Sequence, residues 1–569
     1  MTVNDSNDVF KLPIFYNKHK TKLPSNIVDD LELIKTADPS SNPLYSYYFN
    51  NNNEFSNTII NQMSEYYTTD VGFLKDTQTL LQTYKKLNYD DDTSNKYENI
   101  INLWNEVKND TGFKEKYYYV DWKQFEFLNK SERFLQVMSV YNIASPLISL
   151  CVPIIILIIP FFVIRVKGLK LDIHEYIDIL KVVVSNHAVG KLFSKFSSVS
   201  TNEKIYLVVS ALFYLFSIYQ NVLVCIRFNN NMKKIHLFFT DINDYLTTTI
   251  CKMKNYIDYS QHLISHSSFN DNLTQNISLL VELKQQIASV TEYKLTNPSK
   301  ALEFGRVLKL FYDLHDNNSV SNAVLYSFGF NGYIDCIDGL IHNIDNNQIN
   351  FNTFTTSNKN IIKNNYYGCL KNDAPVKNNI KLNKNFIITG PNASGKTTLL
   401  KSVLINIIFT QQYGCGFYDS AKLKPFHHIH SYLNIPDTSG RDSLFQAEAR
   451  RCKDILDIVK SNPEESHFCI FDELYSGTNP EEAVTSATAF MKYLTNNPNV
   501  RCMLTTHFFK LAKNLRHLKQ FTNSHMDTTK EGDLIRYNYK LNPGISTVKG
   551  CFNVLFDMKF PKEILDSHK

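Results

Sequence analysis

At 569 residues, the chain is long enough for three or four domains of ordinary size. A formal charge of +5 is small for that length and neither selects nor excludes a nucleic-acid or membrane partner. Ten cysteines, scattered without C-x-x-C pairs or zinc-like clusters, argue against a disulfide framework and for reduced, mostly buried thiols of a cytosolic compartment.

The N-terminus, MTVNDSNDVFKLPIF, is polar and has no apolar stretch of the kind a signal peptide needs. Residues 1–50 are rich in Asn, Ser and Pro and read as a partly disordered tail. A helical region is expected over 51–142, where Phe73, Leu74, Leu80, Leu81 and Tyr84 recur at helical spacing. Ile100, Ile101, Leu103, Trp104 and Val107 make a second apolar stripe. Tyr117, Tyr118 and Tyr119, close to Lys114 and Lys116, fit either base stacking or an ordinary edge strand or surface turn, the latter being the simpler reading.

Two apolar runs follow. Ile143 to Ile164 and Ile205 to Val224 carry no charge, and each meets the length needed to cross a bilayer core. Residues 143–225 are therefore expected to form a hydrophobic hairpin of two transmembrane helices joined by a loop. A buried helical pair inside a soluble core is one alternative, with Pro146, Pro153 and Pro160 capping or kinking the first run. A re-entrant hairpin or a helical pair lying along the membrane surface is another, because the intervening loop is rich in Lys and Arg. Two crossings return the chain to its starting side, so the N-terminal segment shares the side of the C-terminal region, which the nucleotide site read below sets as the cytosol or nucleoplasm. Residues 226–343 again read as long helices, a lever-like core. Short β-like runs over 344–378 mark the start of the last domain, 344–569.

The stretch FIITGPNASGKTTLL at 386–400 has the strand, G-x-x-x-x-G-K-[ST], helix pattern of a phosphate-binding loop. The backbone N–H groups of Gly390, Pro391's neighbours Asn392, Ala393 and Ser394, and Gly395 can close around phosphate oxygens, and the helix opened by Lys396, Thr397 and Thr398 adds partial positive charge. Lys396 is expected to reach the β- and γ-phosphates of ATP, and Thr397 to complete the coordination of Mg²⁺. A second apolar strand, His467 to Phe471, ends in Asp472 and Glu473; the first suits Mg²⁺ and the second the polarisation of the attacking water. Cys502 to Leu504 lead into Thr505, Thr506 and His507, which puts a histidine where it can sense the γ-phosphate.

These blocks resemble the MutS family of DNA mismatch-repair ATPases, within the wider ABC-type ATPase class. The similarity lies in APVKNNIKL at 374–382, TGPNASGKTTLL at 389–400, QYGCGFYDSA at 412–421, SLFQAEARRCKDIL at 443–456, FDELYSGTNPEEA at 471–483, TTHFFKLA at 505–512 and the tail at 539–565. The resemblance implies an α+β multidomain protein, with a helical N-terminal and central region and a C-terminal α/β P-loop ATPase of MutS/ABC type. It also implies a homodimer or heterodimer formed through the ATPase domain, each nucleotide site being completed by the partner. By position, Ser443 then lies near the opposing γ-phosphate, Asp472 holds Mg²⁺, Glu473 and His507 are the catalytic glutamate and switch histidine, and Gln412 matches a glutamine tied to nucleotide-dependent rearrangement. Leu444 stands where the family usually has threonine, and Asp442 precedes Ser443. No counterpart of the lesion-probing phenylalanine and glutamate is found, and the apolar runs occupy the place of the DNA-encircling levers and clamp.

The expected function is ATP binding and hydrolysis driving dimer rearrangement in a membrane-associated, MutS-like protein. Two rivals stay open: a soluble repair or recombination ATPase that binds mismatched DNA, and a membrane scaffold or remodelling ATPase that binds none.

Overall fold

The computed structural model describes residues 3–564 apart from 52, 88–92, 110, 169–171, 187–199, 291–301, 434, 436–442, 532–533, 547, 549 and 562. The chain divides into two compact units, neither continuous in sequence. One comprises Met1–Thr2, Asp91–Ile250 and Ser278–Val324; the other comprises Val3–Asp90, Cys251–Ile277 and Leu325–Lys569.

The second unit is mixed α/β. Its strands, in chain order, are β1 (Lys20–Lys22), β2 (Tyr66–Thr68), β3 (Asn350–Phe354), β4 (Ile361–Asn365), β5 (Asn378–Lys381), β6 (Asn385–Thr389), β7 (Cys415–Gly416), β8 (Ser420–Leu423), β9 (His428–Tyr432), β10 (His467–Asp472), β11 (Val500–Thr506), β12 (Phe521–Glu531) and β13 (Leu534–Pro543). A six-stranded sheet has the order β13-β12-β6-β11-β10-β9, and all its pairings are parallel except the β12–β13 hairpin. β6 and β10 are buried almost throughout, which explains their near-continuous apolar sequences. Helices Leu444–Ser461 and Pro480–Leu494 cover one face through Cys452, Ile455, Ala483, Ala487 and Met491, all in one core with Phe471 and Leu504. Helix Lys396–Tyr413 is buried along nearly its whole length. A smaller five-stranded sheet, β5-β4-β8-β3-β7, lies in the same unit.

The N-terminal segment departs from expectation. Residues 3–50 form short helices, including Ser25–Asp30 and Leu44–Phe49, rather than a partly disordered tail. Tyr48 packs its ring 4.4 Å from Phe409 and 4.6 Å from Phe417, and Phe49 lies 5.3 Å from Tyr413. Asn26 and Asp30 both bond the Ser431 hydroxyl, at 3.0 and 2.6 Å. Polar local composition concealed order because the partners that bury these aromatics lie more than 350 residues downstream. Residues 3–50 therefore are not a separate tail, and the described residues of 51–87 belong with the C-terminal α/β region rather than with 93–142.

The first unit is helical. In helix Thr93–Asn109 the expected stripe of Ile100, Ile101, Trp104 and Val107 is buried. Tyr117 and Tyr119 are core residues: the Tyr119 hydroxyl donates to Leu308 O at 2.7 Å, and Phe113 stacks on His315 at 4.3 Å. That removes these two tyrosines from any base-stacking role. Helix Glu132–Val166 runs unbroken through Pro146, Pro153 and Pro160, and helix Thr201–Ser260 contains the second apolar run. Both are long and apolar enough to cross a membrane by length and composition. Leu147, Ile159 and Phe162 on the first helix and Leu212, Phe213, Leu215 and Phe216 on the second are exposed. Tyr214 donates to Ser149 O at 3.3 Å and Asn221 to the Ser149 hydroxyl, so the polar interruptions of the two runs satisfy one another. Part of the intervening loop, 187–199, lies outside the described residues.

Candidate functional site

The predicted loop occupies the carboxyl end of the six-stranded sheet. β6 delivers Gly390, and the chain turns back through Ala393 (φ 62°) and Gly395 (φ 87°) into helix Lys396–Tyr413. A Cβ on Gly395 would lie 3.0 Å from the Tyr539 ring, besides meeting the positive φ, so glycine is required there twice over. The helix N-terminus has no side-chain cap, which leaves its N–H groups unclaimed by protein side chains. Asn392, Ala393 and Thr398 are exposed, whereas Pro391, Ser394 and Lys396 are buried. Ser394 Oγ and Lys396 Nζ both donate to Pro391 O, at 2.7 and 3.1 Å, which holds the turn closed.

Parallel registry brings the acids to this loop. Asp472 on β10 pairs with Thr505 on β11, and Thr506 pairs with Thr389 at the end of β6. Thr397 Oγ1 donates to Asp472 Oδ2 at 2.7 Å, and the Thr505 hydroxyl donates to the other carboxylate oxygen. Glu473 has φ 51°, a strained value for this residue type, and its amide is held by Thr505 O at 3.1 Å. Its carboxylate stands 3.8 Å from Lys396 Nζ and 3.4 Å from His507 Nδ1. The hydrogen bond with His507 holds the Glu473 carboxyl below its ordinary range, against burial, which works the other way. Burial pushes the Lys396 ammonium pKa down, opposed by Glu473 and Asp472. Lys396, Thr397, Asp472, Glu473 and His507, from three separated stretches of sequence, thus meet at one loop.

Two predicted residues lie elsewhere. Gln412 is at the far end of the helix, sixteen residues and about 24 Å beyond Lys396. Its amide donates to Met63 O and Tyr66 O at 2.8 and 2.9 Å and its carbonyl accepts from Tyr45 at 2.8 Å, so it fastens the N-terminal segment. The helix thus places Gln412 apart from Lys396, Thr397 and the two acids. Ser443 is exposed and caps helix Leu444–Ser461 in a reciprocal pair with Gln446. Phe445 packs 5.6 Å from Tyr475.

Three features outside the predicted site residues shape the surroundings of the site. Glu448 is buried and accepts from Ser476 N, Ser476 Oγ and Gly477 N at 3.0, 2.9 and 3.2 Å, pinning the loop that follows Glu473. The C-terminal tail closes on the glycine loop: Ser546 N donates to Thr389 Oγ1 at 2.8 Å, and Gly550 abuts Pro391. A cavity of about 450 Å³ opens beside Gly395 and Thr398, walled by Tyr366, Tyr367, Val376, Asn378 and Tyr539. Asn378 ties its wall to β13, donating to Tyr539 O at 3.0 Å and accepting from Leu541 N at 2.8 Å. The order of Tyr and Asn in 365–378 was the only trace of this cavity, and nothing local pairs it with Tyr539.

Fold and site together define a parallel α/β domain whose glycine loop and acids share the carboxyl edge of the sheet, and residues 386–569 match the family model for MutS domain V. Among curated proteins, the chain is similar to the DNA mismatch repair protein MutS of Persephonella marina, with 29% identity over 191 residues, 32% of this chain and 22% of that protein. The MutS proteins of Lactobacillus gasseri and Fusobacterium nucleatum are 30% and 28% identical over 175 and 196 residues, covering 30% and 34% of this chain. The aligned part spans 20 to 22% of the length of these relatives. The similarity supports a relation to the MutS family through the C-terminal region.

Proposed function

We propose that the C-terminal region binds ATP with Mg²⁺ and hydrolyses it. The observation that carries this reading is the convergence of Lys396, Thr397, Asp472, Glu473 and His507 on the uncapped helix behind the glycine loop. The loop amides and Lys396 bind the phosphates, and the tyrosine-walled cavity beside Gly395 receives the nucleoside. Thr397 and Asp472 supply two hard oxygen donors 2.7 Å apart, which suits Mg²⁺ held jointly by protein and phosphate oxygens. When bound there, Mg²⁺ would neutralise charge developing on the phosphates. Glu473, ionised and oriented by His507, accepts a proton from the attacking water, and Lys396 stabilises the negative charge.

The reading extends to a dimer in which Ser443 of each copy faces the partner's nucleotide, and to membrane association through the exposed apolar helices of the first unit, with the C-terminal region on the cytosolic or nucleoplasmic side. DNA binding is a second reading, favoured by the mismatch-repair relatives; salt-dependent retention on duplex DNA is its test.

Two variants test the primary reading. Lys396→Ala should weaken ATP binding, measured by nucleotide titration. Glu473→Gln should retain ATP, accumulate a closed dimer, and lose turnover by on the order of a thousandfold. An unaltered hydrolysis rate in pure Glu473→Gln protein would sink the assignment.

A further inference from the structure

At the foot of the apolar helices, residues 117–130 form a loop fastened at many points. Asn129 accepts from Val120 N and donates to Val120 O, both at 2.8 Å, closing the loop on itself. Phe125 N donates to Trp122 O at 2.8 Å, making a turn at the tip. Lys114 Nζ reaches Asp121 at 3.3 Å and Glu126 at 2.7 Å, and Lys130 reaches Asp316 at 2.7 Å. From this tied loop Trp122, Phe125 and Phe127 stand out into solvent, 74%, 44% and 64% exposed. Folding buries aromatic side chains where it can, so three rings held out by a fastened loop constitute a docking surface.

The level of the loop says what docks. Helix Glu132–Val166 begins directly after it, and no charge occurs between Arg133 and Arg165. On the returning helix no charge occurs between Lys204 and Arg227, about 33 Å of helix. Tyr118 packs 6.3 Å from Phe228, the residue after Arg227. The loop therefore sits where both uncharged stretches end. Val137, Val140 and Tyr141, all exposed, continue the apolar surface from the loop up the first helix.

We propose that Trp122, Phe125 and Phe127, with the exposed Lys123 beside them, form an anchor seated in the headgroup layer of a lipid bilayer. This proposal rests on the membrane reading of the apolar helices. Tryptophan concentrates at membrane interfaces because its ring is apolar and its N–H needs a polar partner. The ion pairs of Lys114 offset the charge of Asp121 and Glu126, the acids nearest the tip, which would otherwise be repelled by anionic lipid. A bilayer is favoured over a second copy of the chain because the aromatic surface is continuous with the exposed apolar helices.

The chain has two tryptophans, and Trp104 is buried, so the spectrum of wild type minus that of Trp122→Phe isolates Trp122 without disturbing the core. Full-length protein is reconstituted into anionic vesicles with bromine placed near the top or the middle of the acyl chains. The expected result is quenching of Trp122 about twofold stronger by the shallow bromine than by the deep one. Protein that resists alkaline carbonate extraction but shows no Trp122 quenching would leave the hairpin standing and overturn the anchor. Protein extracted by carbonate overturns the hairpin; quenching on vesicles added to that soluble protein would then support the anchor as a peripheral contact, and no quenching would dismiss it. A Trp122 emission shift that depends on protein concentration without lipid would assign the surface to a second copy instead.

Discussion

The β6 and β10 strands and the two long apolar helices are built from the same kinds of residue and meet opposite fates. In the sheet, apolar runs of five or six residues are covered by helices on their faces and end at the loop and acids of the site. In the first unit, described residues of much longer apolar runs remain exposed, with Leu212 and Phe213 before half-buried Tyr214 and Leu215 and Phe216 after it. The difference teaches that apolarity does not itself define a core. A strand run can be sandwiched between layers, whereas a helix apolar on every side cannot be covered by one neighbour alone.

The largest expected effect comes from making one chemical change in both regions. Ile470→Asp, at a fully buried position of β10, should cost more than about 4 kcal/mol and prevent folding, as read by soluble yield and thermal unfolding. Phe213→Asp, at an exposed position, should leave detergent-solubilised protein folded yet weaken its membrane integration by about 3 kcal/mol, as read by carbonate extraction. If Phe213→Asp unfolds the protein as Ile470→Asp does, the contrast between the regions collapses.

A smaller effect is expected at the far end of the phosphate-loop helix. Gln412→Ala strands Met63 O, Tyr66 O and the Tyr45 hydroxyl, and should cost about 2–4 kcal/mol in denaturant unfolding. Turnover per folded molecule should stay within about twofold of wild type, because the side chain acts on the N-terminal segment and not on the site. Loss of turnover in fully folded Gln412→Ala protein would return this residue to the site.

The smallest effect belongs to the helical unit. Burial pushes the Glu106 carboxyl up, but hydrogen bonds from Lys116, Lys234 and Tyr117 outweigh it and hold its pKa at about 2. A lowered folded-state pKa stabilises above the ordinary carboxylate value and loses that stabilisation as pH falls through the folded one. Acid should therefore weaken this unit between about pH 4 and pH 2. With solvent screening of the part-exposed pair, the contribution is about 1 kcal/mol, and Glu106→Gln should remove the corresponding step from acid unfolding.

Sequence alone determined the glycine loop, the strand before it, the helix after it and the acids at the end of β10, because each is a contiguous pattern whose chemistry depends on neighbours a few residues away. It also determined the two apolar runs, since length and absence of charge are read directly. It did not determine that Tyr45, Tyr48 and Phe49 are core, that Gln412 fastens them, that Glu448 pins the loop after Glu473, or that Tyr366, Val376 and Tyr539 wall one cavity. Only the tertiary structure decided those, for one physical reason: each depends on burial or a hydrogen bond between residues far apart in the chain, and a polar neighbourhood in sequence says nothing of an apolar one in space.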